Sequence, residues 1–288
     1  LPVRAVELSN NRITKRFKDL TARQEKGLIT YLTAGYPDLN TTIKLVEVMA
    51  GHGADFIELG IPFSDPIADG PVIQQAANFA LQKGIKTAEI IAAVREMRQR
   101  LSTSVPLIFM TYYNPILQYG LRRFVAHSVE AGIDGLIVPD LSFEESEELR
   151  TVADAYNLAL IPLVAPTTPL ERLTAFKANA RGFVYCVSVT GVTGVRNEIT
   201  TDLASFTDRV RQCINLPVAI GFGIAGPYQA AQVAPFCEAV IVGSAVVNLI
   251  AKNNDFKGMS LAIGSLAQDI KSALLNYKKQ VAEHKKLC

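Results

Sequence analysis

The chain has 288 residues, 49% of them apolar, enough for one large core, and α/β barrels commonly reach this size as a single domain. Twenty-nine basic residues against 27 acidic ones leave a net charge of +2 with the signs interleaved, which argues against nucleic acid or another polyanion as the main partner. Cys186, Cys213, Cys237 and Cys288 form no CxxC pair, and no apolar run reaches eighteen residues, so a cytoplasmic protein with reduced thiols and no membrane segment is expected.

The spacing predicts a first helix over about 13–24, as part of a helical extension covering 1–27. The strand GLITYLTAG follows, then a helix over 41–50, the turn GHGAD and the strand FIELG. After a proline-rich loop come helical segments at 72–81 and 87–101, the strand PLIFMTYY, a helix over 121–130, the strand DGLIVPD and a helix over 144–156. The strand LALIPLV, a helix over 169–178, the strand GFVYCVS and a helix over 202–213 continue the alternation. The strand PVAIGFG, a helix over 227–233, the strand EAVIVGS and a helical tail over 245–288 complete it. Eight apolar strands alternating with helices, with no linker between them, predict parallel pairing buried on both faces. A (β/α)8 TIM barrel with an extra N-terminal helix is the architecture expected, as one domain over 1–288.

Active sites of such barrels lie at the C-terminal ends of the strands. There the chain carries FIELGIPFSDPIADG, where an apolar strand holds Glu58 and a proline-stiffened loop presents Asp65 and Asp69. The pleat puts Phe56 and Glu58 on one face, so a Phe56 that fills the interior turns Glu58 inward. There Glu58 would be partly desolvated, with a pKa raised toward acid–base use. Taken singly, each carboxylate could equally be a solvated strand end or a turn cap. Other polar strand ends are Tyr112-Tyr113-Asn114, Asp140, Thr167-Thr168 and Tyr185. Glycine-rich stretches mark the last three strands: SVTGVTG, with Thr193 and Gly194; GFG, with Gly223; and Gly243-Ser244. Each alone is ordinary turn chemistry, but together they form a candidate phosphate cradle.

What is missing narrows the chemistry. His52, His127 and His284 lie in a turn and on helices, so neither a histidine metal site nor a histidine base is expected. No lysine stands at a strand end for a Schiff base, and no GxGxxG follows a strand. A phosphorylated small molecule handled by carboxylates, with Tyr185 as a further reactive group, remains.

At these residues the sequence closely resembles the α subunit of tryptophan synthase. The resemblance rests on FIELGIPFSDPIADGP, YLTAGYPD, SVTGVTG, GFGI and VGSA, and spans about Leu28 to Leu249. It implies a barrel that cleaves indole-3-glycerol phosphate into indole and glyceraldehyde 3-phosphate. It also implies a β subunit, in an α2β2 complex, that carries pyridoxal phosphate and consumes the indole, with no cofactor or metal in this chain. Glu58 then matches the proton-shuttling glutamate, Asp69 the aspartate at the indole nitrogen, and Tyr185 a supporting tyrosine that a core role would explain nearly as well. Tyr31, Met110, Ile137, Leu163 and Phe222 would line the indole slot, although barrel packing accounts for all five equally. Thr193, Gly194, Gly223, Gly243 and Ser244 would hold the phosphate. Two positions depart from some members: Val189 stands where an arginine occurs in the loop, and Tyr31 adds a hydroxyl where a phenylalanine occurs. A stand-alone indole-releasing lyase and a catalytically dead partner barrel are the rival readings, and the presence of both Glu58 and Asp69 counts against the second.

Overall fold

The computed structural model describes residues 11–101, 104–177, 179–187, 203–221 and 223–287, with side chains of the last helix to Tyr277. Among the described residues nine strands form one sheet: β1 (Gly27–Thr33), β2 (Phe56–Gly60), β3 (Leu107–Met110), β4 (Gly135–Ile137), β5 (Ala159–Leu160), β6 (Leu163–Val164), β7 (Val184–Val187), β8 (Val218–Gly221) and β9 (Ala239–Val242). Every pairing is parallel, in the order β5-β4-β3-β2-β1-β9-β8-β7-β6.

The two ends of that order are halves of the one strand expected over LALIPLV. Ile161 donates its N–H to Leu136 O on β4 at 2.9 Å, and the next residue, Pro162, accepts from Tyr185 N on β7 at 2.9 Å. Adjacent residues thus pair with opposite neighbours, and the sheet closes into a barrel through the chain itself. Proline suits this junction because its nitrogen has no proton to leave unpaired.

Alternate residues separate two layers. Leu28, Ile57, Leu107, Leu136 and Val240 pack outward against the helices, while Ile29, Phe56, Ile108, Ile137 and Ile241 form a second cluster inside. The helix Arg12–Ala22 joins the inner cluster: its Ile13, Phe17 and Leu20 are buried there, with the Phe17 ring 4.6 Å from Phe56 and 5.7 Å from Phe183. Those three side chains contribute roughly 5–8 kcal/mol of gross burial before ordering costs. Asn11 caps this helix by accepting from Ile13 N at 2.8 Å, and its amide donates to Asp134 O at 2.8 Å.

Three carboxylates, each one residue before its strand, tie neighbouring strands together at this N-terminal end. Asp55 accepts from Leu28 N at 2.8 Å, Asp134 from Leu107 N at 2.9 Å and Glu238 from Val218 N at 2.8 Å. Each also meets cations: Lys271 (2.8 Å) and Arg16 (3.4 Å) at Asp55, Arg98 (2.6 Å) and Arg12 (2.7 Å) at Asp134, and Arg211 (3.0 Å) at Glu238.

Among the described residues the expected helices and strands are present, with two further differences, and residues 1–10 of the expected helical extension lie outside the described residues. The third strand stops at Met110, and Tyr113 opens a short helix, Tyr113–Tyr119, whose first N–H goes to the Asp140 carboxylate at 2.9 and 3.2 Å. The C-terminal tail is two helices, Ser244–Lys252 and Phe256–Leu287. Between them Asn253 bonds back to Leu249 O at 2.7 Å, and Asp255 accepts from Gly258 N at 2.7 Å to start the second helix.

Candidate active site

Glu58 is the middle residue of β2, in register with Tyr31 of β1. Phe56 lies inside, so the pleat turns Glu58 inward as expected, but the side chain is 0% exposed rather than partly solvated. Among the described residues neither of its carboxyl oxygens has a hydrogen-bond partner. Burial without compensation disfavours the charged form and pushes its pKa up to about 8. The extra burial has a visible cause. Gly60 shares the inner face two residues beyond Glu58, and a methyl group there would overlap the Tyr31 hydroxyl. The tyrosine therefore lies across β2 on the mouth side of Glu58, with its hydroxyl 3.3 Å from Thr33 Oγ1.

Asp69 belongs to the loop between β2 and the helix Pro71–Gln82. It is half-buried, and burial raises its pKa to about 6, an effect opposed by a hydrogen bond from Tyr112. Gln74 Nε2 donates to the Asp69 carbonyl at 2.8 Å, fixing that end of the loop to its helix. Asp65 is exposed and accepts from Ser64 at 2.5 Å; it turns away from the site.

Tyr185 of β7 is buried in the inner cluster, and a Cβ at Gly221 of β8 would come within 2.7 Å of its hydroxyl. Burial raises the pKa values of Tyr31 and Tyr185, and the fields of Glu58 and Asp69 act on both in the same direction. The two carboxylates and two tyrosines are therefore close enough to act on one another in one region of the barrel interior, the chamber of Glu58, and both phenols stay protonated hydrogen-bond donors at working pH. Ile137 is fully buried in the inner cluster, and the half-buried Met110 and Leu163 pack on it. Met110 also packs beside Tyr31, Ala76 and Val247. The register sets Met110 next to Gly60 and Ile137, and Leu163 next to Tyr185.

Of the expected phosphate group, Gly223, Gly243 and Ser244 are described. Gly223 follows β8 with φ +76°, a conformation that favours glycine. Gly243 follows the neighbouring β9 and is the N-cap of Ser244–Lys252, whose first amides have no acceptor within the helix. The two glycines thus stand at the same end of adjacent strands. Thr193, Gly194 and Phe222 lie outside the described residues, as does Val189.

Tyr112 is the residue that sequence reasoning passed over. Its place at the end of the third strand was visible, but nothing in the local sequence says which loop its hydroxyl meets 44 residues away. Asp140, also a polar strand end, serves as the cap of Tyr113–Tyr119. A cavity of about 320 Å³ opens at the same end of the barrel, beyond β4 and β6, lined by Pro139, Asp140, Phe143, Arg150 and Leu163 among others. Arg150 there is already bonded to Phe143 O and Ser146 Oγ and stacked on the Phe143 ring. With Asp140 engaged as a cap, that cavity offers no acid–base pair, and the chemistry is assigned to the chamber of Glu58. Among the described residues no group of three or more His, Cys, Asp or Glu side chains is disposed to hold a metal ion, and no helix is long and apolar enough to cross a membrane.

Comparison with known proteins concerns the chain as a whole. Residues 17–274 match the family model for the tryptophan synthase alpha chain. The tryptophan synthase alpha chain of Thermoanaerobacter sp. (strain X514) is 46% identical over 264 residues, covering 92% of this chain and all of that one. The alpha chain of Synechocystis sp. is 46% identical over 265 residues, covering 92% and 99%. Among solved structures, the alpha chain from Legionella pneumophila superposes with a TM-score of 0.84 at 38% identity, covering 92% of this chain and 98% of that one. A chain of Mycobacterium tuberculosis tryptophan synthase gives 0.83 at 34% identity, covering 92% and 98%.

Proposed function

The chain belongs to the tryptophan synthase alpha chain family, and we propose that Glu58 and Asp69 carry out its reaction. That reaction is the retro-aldol cleavage of indole-3-glycerol phosphate to indole and glyceraldehyde 3-phosphate, in tryptophan biosynthesis. The observation that carries the assignment is the buried Glu58 carboxyl, which has no partner among the described residues and shares its chamber with Asp69.

The bond to be broken joins indole carbon 3 to the hydroxyl-bearing carbon of the glycerol chain. Cleavage needs a proton on carbon 3 and the loss of the hydroxyl proton. With its pKa raised to about 8, Glu58 holds a proton at neutral pH and can deliver it to carbon 3. The carboxylate left behind takes the hydroxyl proton as the carbon–carbon bond opens to the aldehyde, and Glu58 regains its starting state. Protonated at carbon 3, the ring becomes electron-poor at nitrogen, where the charge of Asp69 stabilises it most in the transition state. Tyr185 supports the slot from the opposite wall, and Tyr31, Met110, Ile137, Leu163 and Phe222 line it. Thr193, Gly194, Gly223, Gly243 and Ser244 hold the phosphate through backbone amides and hydroxyls.

As the α subunit, the chain works beside a β subunit that carries pyridoxal phosphate, with an α2β2 assembly expected. The loop over 62–71 is proposed to dock there, supported by Ile67, an apolar side chain 82% exposed beside the acid it would control. A cytoplasmic location belongs to the same reading.

Single-turnover cleavage, with substrate well above its dissociation constant, tests the assignment. Glu58→Gln keeps the shape but cannot exchange a proton, and the rate should fall by about 10²–10⁴-fold. Cleavage at near the native rate would remove β2 as the chemical centre. The native kcat/KM profile should be a bell with its acid limb near 6, from Asp69, and its basic limb near 8, from Glu58. Comparing turnover with and without the β subunit separates an α subunit from a stand-alone lyase, which would be as fast alone.

A further inference from the structure

We propose that Tyr112 is a positioning residue for Asp69, gripping the loop that carries it at both ends. The inference rests on the role given to Asp69 above. Tyr112 directly follows β3 and Thr111, whose N–H is bonded to Ile137 O of β4 at 3.0 Å, so its backbone belongs to the barrel wall. Its ring packs on Phe63 near the start of the loop, with centroids 5.2 Å apart and planes 31° apart. Its hydroxyl accepts the Ala68 N–H at 3.0 Å near the loop's end. With that lone pair engaged by an amide, the phenolic proton is the part left to turn toward the neighbouring Asp69 carboxylate.

Other ties of the segment Phe63–Asp69 run within the loop or to the helix that follows. Ile67 N reaches Asp65 O, Asp69 N reaches Pro66 O, and Gln74 reaches the Pro66 and Asp69 carbonyls. Among the described residues, the Tyr112 hydroxyl is the group that joins this segment to the barrel by hydrogen bonding, through the Ala68 N–H and the Asp69 carboxylate. Rotation of the loop about its proline-stiffened backbone would carry Asp69 away from the chamber, and Tyr112 opposes that rotation. Tyr31 from β1, Tyr185 from β7 and Glu58 from β2 also face this space, and Asp140 acts on Tyr112 from the end of β4. Among the described residues no cation contributes at Asp69, so the donor that favours its charged form is Tyr112.

The test is Tyr112→Phe, which keeps the ring on Phe63 and removes the hydroxyl, assayed in the complex with the β subunit. The expected result is a fall in kcat of about tenfold, the usual weight of one hydrogen bond, with KM changed less than about twofold. The acid limb of kcat/KM should move upward by about half a pH unit or more, because losing a donor to the carboxylate favours its protonated form. Tyr112→Leu, which also strips the ring from Phe63, should lose more activity and raise KM. Rates lowered equally at every pH, with the acid limb unmoved, would overturn the proposal. If Asp69→Asn is inactive in the same assay, that failure belongs to Tyr112 alone. Asp69→Asn turning over at the native rate would instead overturn the reading beneath it.

Discussion

The two ends of the barrel treat buried carboxylates in opposite ways. At the N-terminal end Asp55 and Asp134, 4% exposed each, have a strand N–H and two cations apiece within reach. At the other end Glu58, more deeply buried, has no partner among the described residues. Burial costs a carboxylate several kcal/mol unless charge and hydrogen bonds replace its water, so the first end is built for cohesion and the second carries an uncompensated acid. The contrast shows that burial alone does not reveal what an acid is for. Its partners do: a satisfied carboxylate holds strands together, and an orphaned one is free to exchange a proton.

Glu58→Gln tests the contrast most severely, because it should move activity and stability in opposite directions. A group whose folded pKa is raised from 4.5 to about 8 binds its proton more tightly when folded. Its contribution to stability is therefore complete at low pH and lost as pH rises through about 8. The variant should become more stable relative to the native chain as pH rises from 5 to 9, by about 4 kcal/mol, while cleavage collapses. Thermal melts across that range decide the matter. A native-minus-variant difference that does not change with pH would mean that Glu58 is solvated after all.

At the opposite end, Asp134→Ala should cost about 3–5 kcal/mol by leaving Arg98, Arg12 and the Leu107 N–H without their shared acceptor. Urea unfolding would show that loss, while kcat per folded molecule stays native; a loss below about 1 kcal/mol would break the comparison. Lys271→Met is the mildest of the three. Asp55 keeps Arg16 and the Leu28 N–H, so the loss should be about 1–2 kcal/mol, again with native kcat. A drop as large as that of Asp134→Ala would mean that Arg16, at 3.4 Å, does little for Asp55.

Much of this was legible in the sequence because period-2 patterns survive folding. Phe56 and Glu58 share a face whatever surrounds them, and the alternation of strands and helices allowed few other architectures. The depth of Glu58 was not legible, since it depends on Tyr31 reaching over Gly60 from another strand. Nor was the Tyr112 contact, which joins a strand end to a loop distant along the chain, where no periodicity operates. Asp140 looked like Asp69 for the same reason: a carboxylate after a strand can cap the next helix or face a ligand, and only the partner distinguishes them. The break at Asn253–Asp255 was hidden because the helical pattern resumes immediately after it.

The helix Arg12–Ala22 has a consequence for how the molecule assembles. Synthesised before any strand, it cannot be fully seated until distant parts of its receptacle exist, because Phe17 rests on Phe183, made 166 residues later, and the same cluster extends to Ile241. A nascent chain leaving the ribosome therefore carries the apolar stripe of Ile13, Phe17 and Leu20 uncovered through most of its translation. Contacts of such sequence separation form late and slowly, and exposed apolar surface invites association in the meantime. The stopper of this barrel is made before the strands it plugs, so until they exist its apolar face is the surface most open to association.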